Sequence, residues 1–285
     1  MKIRNPAVAA SFYPGDASKL RESVEGYVST ALEAMPAEEK DLRAPLPKAI
    51  IAPHAGYVFS GAVAGSAYAR IVNARGVVTR VVLAGPVHRV PVRALAVSGM
   101  DGFATPLGLV PVDKEAVERI SKLSQVELND APHAGEHSLE VHLPFLQCVL
   151  GPPGNKRRKA APDKDEAGFS FVPLAVGDAD AEETAEVYEA LWGGPETLFV
   201  ISTDLSHFYD YDTARELDSA ATRAIEALRP EDIGPRQACG RAPMAGMLVA
   251  ARRHGLRVKT LDLRNSGDTA GSRGSVVGYG AWALY

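Results

Sequence analysis

Short apolar runs alternate along this chain with longer stretches of helical period. Ala49–Ala52, Val81–Ala84 and Leu198–Ile201 are uniformly apolar and bounded by proline, glycine or polar residues. Runs that short read as strands buried on both faces. The pattern predicts strands over 48–52, 79–84, near 94–98, 170–176, 198–202, near 258–263 and 276–284. Between them it predicts helices over about 60–72, 114–123, 139–150, 181–191, 213–228 and 241–254, with Pro144 near the first turn of its helix, where proline is tolerated. Ahead of the first core strand, Leu20, Val24, Tyr27, Val28 and Ala31 recur at helical spacing over 18–32. A short extended segment over 4–13 precedes that helix and ends in the turn-prone Pro14-Gly15-Asp16. Strands alternating with helices specify an α/β protein with a mainly parallel sheet covered by helices on both faces.

No internal repeat is present, and residues 1–285 read as one domain. The one compositional break, 151–168, is rich in Pro, Gly and mixed charge and carries Lys156-Arg157-Arg158-Lys159. It is expected to be a flexible surface loop. The segment 35–48, with several prolines, reads as a linker, and 266–275 as a loop between two closing strands.

Charge and composition narrow the function classes. The chain of 285 residues is 46% hydrophobic and 23% charged, with a formal net charge of −4. That balance lacks the basic face of a nucleic-acid binder. Two cysteines in such a length form no disulfide framework and fit a reducing compartment. The opening residues lack a signal peptide's apolar stretch, and no run approaches the ~20 apolar residues of a membrane span. A cytoplasmic, membrane-free protein is expected.

The chemistry gathers where the apolar runs end. His54 follows Ala49–Ala52, His88 follows Val81–Ala84, and Asp204 and His207 follow Leu198–Ile201. Open α/β sheets bind ligands at the carboxyl ends of their parallel strands. Imidazole is the commonest metal ligand and the side chain that titrates nearest neutrality. Cys239, just before an apolar helix that begins near Arg241, joins the candidates. The helix dipole and Arg241 are expected to favour its thiolate, which is the metal-binding form.

The segment Glu136-His137-Ser138-Leu139-Glu140-Val141-His142 adds further titratable groups. On a helix His137 and His142 diverge by about 140°, so one of them at most can face a site together with one carboxylate. A helix start capped by Ser138 is the alternative reading of this segment. His133 and His254 are expected at the surface without a role. There is no nucleophile elbow, phosphate loop, Cys-x-x-Cys pair or dinucleotide fingerprint.

Pro6-Ala7-Val8-Ala9-Ala10-Ser11-Phe12-Tyr13-Pro14, Ala52-Pro53-His54-Ala55-Gly56-Tyr57, Gly85-Pro86-Val87-His88, the segment Glu136 to Phe145, Ser202-Thr203-Asp204-Leu205-Ser206-His207 and Cys239-Gly240-Arg241 together resemble the Memo family. Its prokaryotic members are often named AmmeMemoRadiSam system protein B. The resemblance implies a fold similar to the class III, LigB-like extradiol dioxygenases, which are built on non-haem iron. It implies metal ligation by His54, His88 and Cys239, with His207 matching the histidine that acts as acid and base in those enzymes. His207 is expected beside the metal without ligating it, its other ring nitrogen held by Asp204 or a backbone carbonyl. Tyr57, His137 and His142 are the expected substrate contacts.

One departure stands out. The dioxygenases complete their iron site with a carboxylate, whereas a thiolate is softer and suits Cu(I), Zn or reduced Fe. The implied cofactor is therefore non-haem Fe(II) or Cu, with Zn possible. The resemblance also implies a functional link to a radical-SAM protein. Three readings stay open: a metal-dependent redox enzyme acting on a small molecule in the crevice, a non-catalytic metal- or peptide-binding adaptor, and a zinc-dependent hydrolase.

Overall fold

In a computed structural model, residues 1–40, 45–152 and 167–285 are described. Most of the segment expected to be a flexible loop, 153–166, and part of the expected linker, 41–44, lie outside the described residues. In chain order the elements are β1 (Ile3–Arg4), α1 (Ala17–Ala34), β2 (Ala49–Ala52), α2 (Tyr57–Tyr68), β3 (Arg80–Pro86), β4 (Leu95–Val97), β5 (Gly102–Thr105), β6 (Gly108–Pro111), α3 (Lys114–Ile120), β7 (Val126–Leu128), α4 (Ala131–Ala134), α5 (Leu143–Val149), β8 (Ser170–Val176), α6 (Ala181–Ala190), β9 (Thr197–Ser202), β10 (His207–Tyr209), α7 (Tyr211–Glu226), α8 (Arg241–Arg253), β11 (Val258–Asn265), α9 (Ser266–Thr269) and β12 (Val276–Leu284).

The main sheet runs β10-β12-β2-β9-β3-β8-β4-β7, with β11 also on β12. Its centre, β2-β9-β3-β8, is parallel throughout. That is the expected parallel core, and its strands are apolar because helices flank the sheet. Antiparallel strands extend it on both sides: β12 against β2, and β4 against β8. The sheet is therefore mixed at its margins and open, with no closed barrel. A separate three-stranded sheet, β1-β5-β6, draws the N-terminus to β5. The strands β5, β6, β7 and β10 are too short to leave a pattern that sequence reading detects.

One continuous apolar core fills the space between sheet and helices, anchored by Ile50, Ile51, Val82, Leu83, Phe171, Phe199, Val200 and Trp282, each fully shielded from solvent. On α1 the predicted stripe holds: Leu20, Val24 and Val28 are buried, and Asp16 caps the helix by accepting from the Lys19 amide at 2.9 Å. The glycine-rich stretch after β11 differs from expectation. Asn265 and Asp268 form a reciprocal capping box that winds Ser266–Thr269 into a helical turn. Among the described residues, no helix is long and apolar enough to cross a membrane.

A candidate metal centre at the strand ends

Three adjacent parallel strands deliver the key residues. β9 lies between β2 and β3, with Ala52 beside Ser202 and Ala84 beside Ile201. Their carboxyl ends therefore open side by side, and the chain continues into His54, Asp204 and His88. Cys239 arrives from the turn before α8. Gly240 makes that approach possible: a Cβ there would sit 2.3 Å from the Ser202 carbonyl oxygen and 2.6 Å from Thr203 Cβ. Only glycine allows the turn to press so closely on the end of β9.

The donors converge. One ligand atom each from His54, His88 and Cys239 lies within 4.8 Å of the other two. His54 Nε2 is 3.3 Å from Cys239 Sγ.

Hydrogen bonds settle which imidazole nitrogens are free. The Ser202 hydroxyl donates to the Ser138 carbonyl at 2.7 Å, so its proton is committed. His54 Nδ1, 2.6 Å from Ser202 Oγ, must then be the donor in that contact. His54 Nε2 is left with its lone pair toward Cys239. His88 repeats the logic, because its Nδ1 is 2.9 Å from Glu136 Oε1 and a carboxylate only accepts. An acceptor behind each imidazole is the usual support for a metal-binding histidine, fixing tautomer and ring orientation together.

The Glu136 carboxylate is saturated. Oε2 accepts from the His88 amide at 2.6 Å, and Oε1 also accepts from the amides of His137 at 2.9 Å and Ser138 at 3.0 Å. Burial works to raise this carboxyl, but hydrogen bonds from His137, His88 and Ser138 overcome it and hold it far below the usual carboxylate range. His88, Glu136 and His137 also lie close enough to hold an ion. With both oxygens occupied by N–H donors, the carboxylate serves there as an orienting group.

Electrostatics separate the donors. Burial, with the charges of His88 and His137 behind it, holds His54 well below the ordinary imidazole range, so it stays neutral. Burial, reinforced by Asp204, pushes the Cys239 thiol up to about 12. This corrects the expectation that the helix dipole and Arg241 favour thiolate: Arg241 is exposed, and desolvation dominates. The Asp204 amide points at the sulfur from 3.3 Å, ready to support a negative charge there. A bound cation would compensate both a thiolate at Cys239 and Asp204, whose carboxyl burial raises. Two imidazoles and one sulfur thus fit a transition metal of borderline or soft character.

The other expected site residues divide. His137 is in the cluster, stacked on His88 with ring centroids 4.7 Å apart and 5.4 Å from the His54 ring. His207 Nδ1 is 2.8 Å from the Leu205 carbonyl, so a backbone carbonyl holds it, and its charge bears on both His54 and Asp204. Asp204 instead accepts from the His54 amide at 2.8 Å and locks the loop that carries that ligand.

Tyr57 and His142 are not brought to the cluster. The Tyr57 hydroxyl donates to the Val141 carbonyl, and its ring packs on Tyr13 and Phe145. His142 is buried against the Tyr68 hydroxyl at 2.9 Å. His133, expected at the surface, is 2% exposed beneath the N-terminal segment. Ser138 caps no helix; its hydroxyl donates to the Pro86 carbonyl at 2.7 Å.

Beside the cluster a cleft of about 360 Å³ is lined by His88, Cys239, Arg89 and the apolar Val87, Val90 and Pro243. Sequence reading missed Ser202 and Arg89, and it raised Glu136 as a candidate carboxylate without its partner His88. The signal for Arg89 was its place next to His88; the other two act across gaps of 148 and 48 residues.

An open α/β sheet with a His-His-Cys donor cluster at its parallel strand ends defines the class of this protein. A family model described as Memo-like protein matches residues 4–283. A MEMO1 family protein of Methanopyrus kandleri is 34% identical, covering 98% of this chain and 97% of that protein. Similar proteins of Methanosarcina barkeri and Aquifex aeolicus, both called MEMO1 family proteins, are 33% and 32% identical, each covering 98% of both chains. The chain belongs to the Memo-like family.

Proposed function

We propose that this protein binds non-haem iron or copper through His54, His88 and Cys239 and acts as a metal-dependent oxidoreductase on a small molecule held in the adjoining cleft. The observation that carries the reading is the orientation of the two imidazoles within the His54-His88-Cys239 cluster: each Nδ1 is spent on a fixed oxygen acceptor, which leaves each Nε2 free, that of His54 3.3 Å from Cys239 Sγ. Iron or copper held by these three residues would supply redox chemistry.

The chain's own residues provide the remainder. Arg89 lines the cleft and has no ion-pair partner among the described residues, which supports an orienting role toward an anionic group of the substrate. His207, with Nδ1 donating to Leu205, keeps Nε2 free to take or return a proton. His137 stacks on the His88 ring and backs its orientation. A free Cys239 thiol fits a reducing, cytoplasmic setting.

The test is elemental analysis and EPR of protein purified without oxygen. Iron or copper near one per chain, lost in Cys239→Ala while the fold persists, supports the reading. His207→Phe should keep the metal. Zinc alone would overturn the redox assignment in favour of hydrolysis.

A further inference from the structure

From the N-terminal segment we infer that Arg4 is a positioning residue for the metal centre, acting through Glu136 on His88. This rests on the metal-site reading above, and the chain of contacts is continuous. Arg4 is 5% exposed. Its guanidinium fork engages the 133–140 loop at three points: Nε donates to the His133 carbonyl at 2.7 Å, Nη2 to the Glu136 carbonyl at 2.6 Å, and Nη1 to Glu140 Oε2 at 2.6 Å.

Glu140 then ties the same loop to the strap that follows Arg4. It accepts from the amides of Ala7 at 2.8 Å and Val8 at 3.0 Å, and from the Tyr13 hydroxyl at 2.5 Å. On its other side the loop presents the Glu136 carboxylate, which grips His88 by both backbone amide and ring.

The geometry explains why arginine stands here. Only a guanidinium offers donors in a rigid planar fork, and three acceptors at fixed angles engage all three of its nitrogens. An ammonium could keep the contact with Glu140, but it would release one or both carbonyls. The Glu136 backbone would then keep only its long amide contact with the His133 carbonyl at 3.4 Å, and the His88 ring would lose the fixed acceptor that sets its tautomer and direction. Removing an outer partner of a metal ligand typically weakens metal binding 10–100-fold. Arg4 acts one residue further out, so a loss of about tenfold is expected from that range.

The experiment is a double-mutant cycle on the full chain, with Zn(II) as the probe and a chromophoric chelator as competitor. Arg4→Lys should weaken Zn(II) binding about tenfold in the native background and less than about twofold once His88→Ala has removed the residue it acts through. Equal losses in both backgrounds, or no loss from folded Arg4→Lys, would overturn the proposal. If Arg4→Lys does not fold, Arg4→Gln takes its place: it leaves Glu140 its contacts with the Ala7 and Val8 amides and the Tyr13 hydroxyl, and its single amide group cannot hold both carbonyls.

A second readout needs no metal. In the metal-free protein the Nδ1 proton of His88 should give a protected, downfield NMR signal that Arg4→Lys broadens or removes. Should Zn(II) binding prove independent of His88, the metal-site reading fails and this signal alone decides the positioning role. An unchanged signal in the folded variant overturns it.

Discussion

Glu136 and Glu140 lie one helical turn apart in sequence, and each accepts several short hydrogen bonds, yet they serve opposite ends. Glu140 is fully buried, and what faces it is a guanidinium, two backbone amides and a tyrosine hydroxyl. Those donors stay within the chain: Arg4 spends its other nitrogens on the His133 and Glu136 carbonyls, and none of them ends on a free acceptor at the cleft. Glu136 also collects amides, but one of its donors is the His88 imidazole, whose second nitrogen remains free beside Cys239 and the cleft. A network whose every member is satisfied holds the fold. A network that ends on an unused lone pair, next to an open cleft, is directed at something outside the chain. What differs is whether the donor behind each carboxylate has a second valence to offer.

The largest effect that can test this difference is on stability. Glu140→Gln strands Arg4 in a buried site, and breaking one partner of a buried pair costs about 3–5 kcal/mol. Denaturant unfolding should show that loss with and without bound metal. A change below about 1 kcal/mol, the ordinary range for exposed pairs, would mean that the anchor is not structural.

Glu136→Gln tests the other half. It keeps the shape of the side chain but exchanges a charged acceptor for a neutral amide, so the tautomer of His88 is no longer imposed. Zn(II) affinity should fall roughly 10–100-fold. The midpoint of unfolding should move less than in Glu140→Gln, because His88 is 31% exposed in its side chain and can turn to water. If the two variants behaved alike in both measurements, the contrast between the carboxylates would collapse.

How much of this was legible in sequence follows from distance along the chain. The apolar runs and the histidines just past them are local features, so the parallel core and the positions of His54, His88 and Asp204 could be read directly. Arg4, Glu136 and Ser202 could not be assigned partners, because those partners lie tens to more than a hundred residues away. The same blindness placed His133 at the surface: nothing local announces that the N-terminal strand will cover it. Tyr57 and His142 sit beside site residues in sequence, but α2 and the turn before α5 rotate them into the core. For Cys239 the local signs, a helix start and a neighbouring arginine, were outweighed by burial and by Asp204, and neither is visible from the residues around it.

Counted per pH unit, the smallest effect in the series concerns pH, and it singles out the thiol. With Cys239 pushed up to about 12, the sulfur carries a proton at neutral pH, and a cation must displace it to bind. His54, held below the ordinary imidazole range, has no proton to lose there. From about pH 7 to 9 each unit rise in pH makes the thiolate tenfold more available, so Zn(II) affinity should climb about tenfold per unit and one proton should be released per ion. Calorimetric titration in buffers of different ionisation enthalpy measures that proton directly. In Cys239→Ala the remaining weak binding should be nearly flat over the same range, because the ligands that remain include no buried thiol. A flat profile in the native chain would remove Cys239 from the donor set, while leaving the hydrogen-bonded orientation of His54 and His88 to be explained some other way.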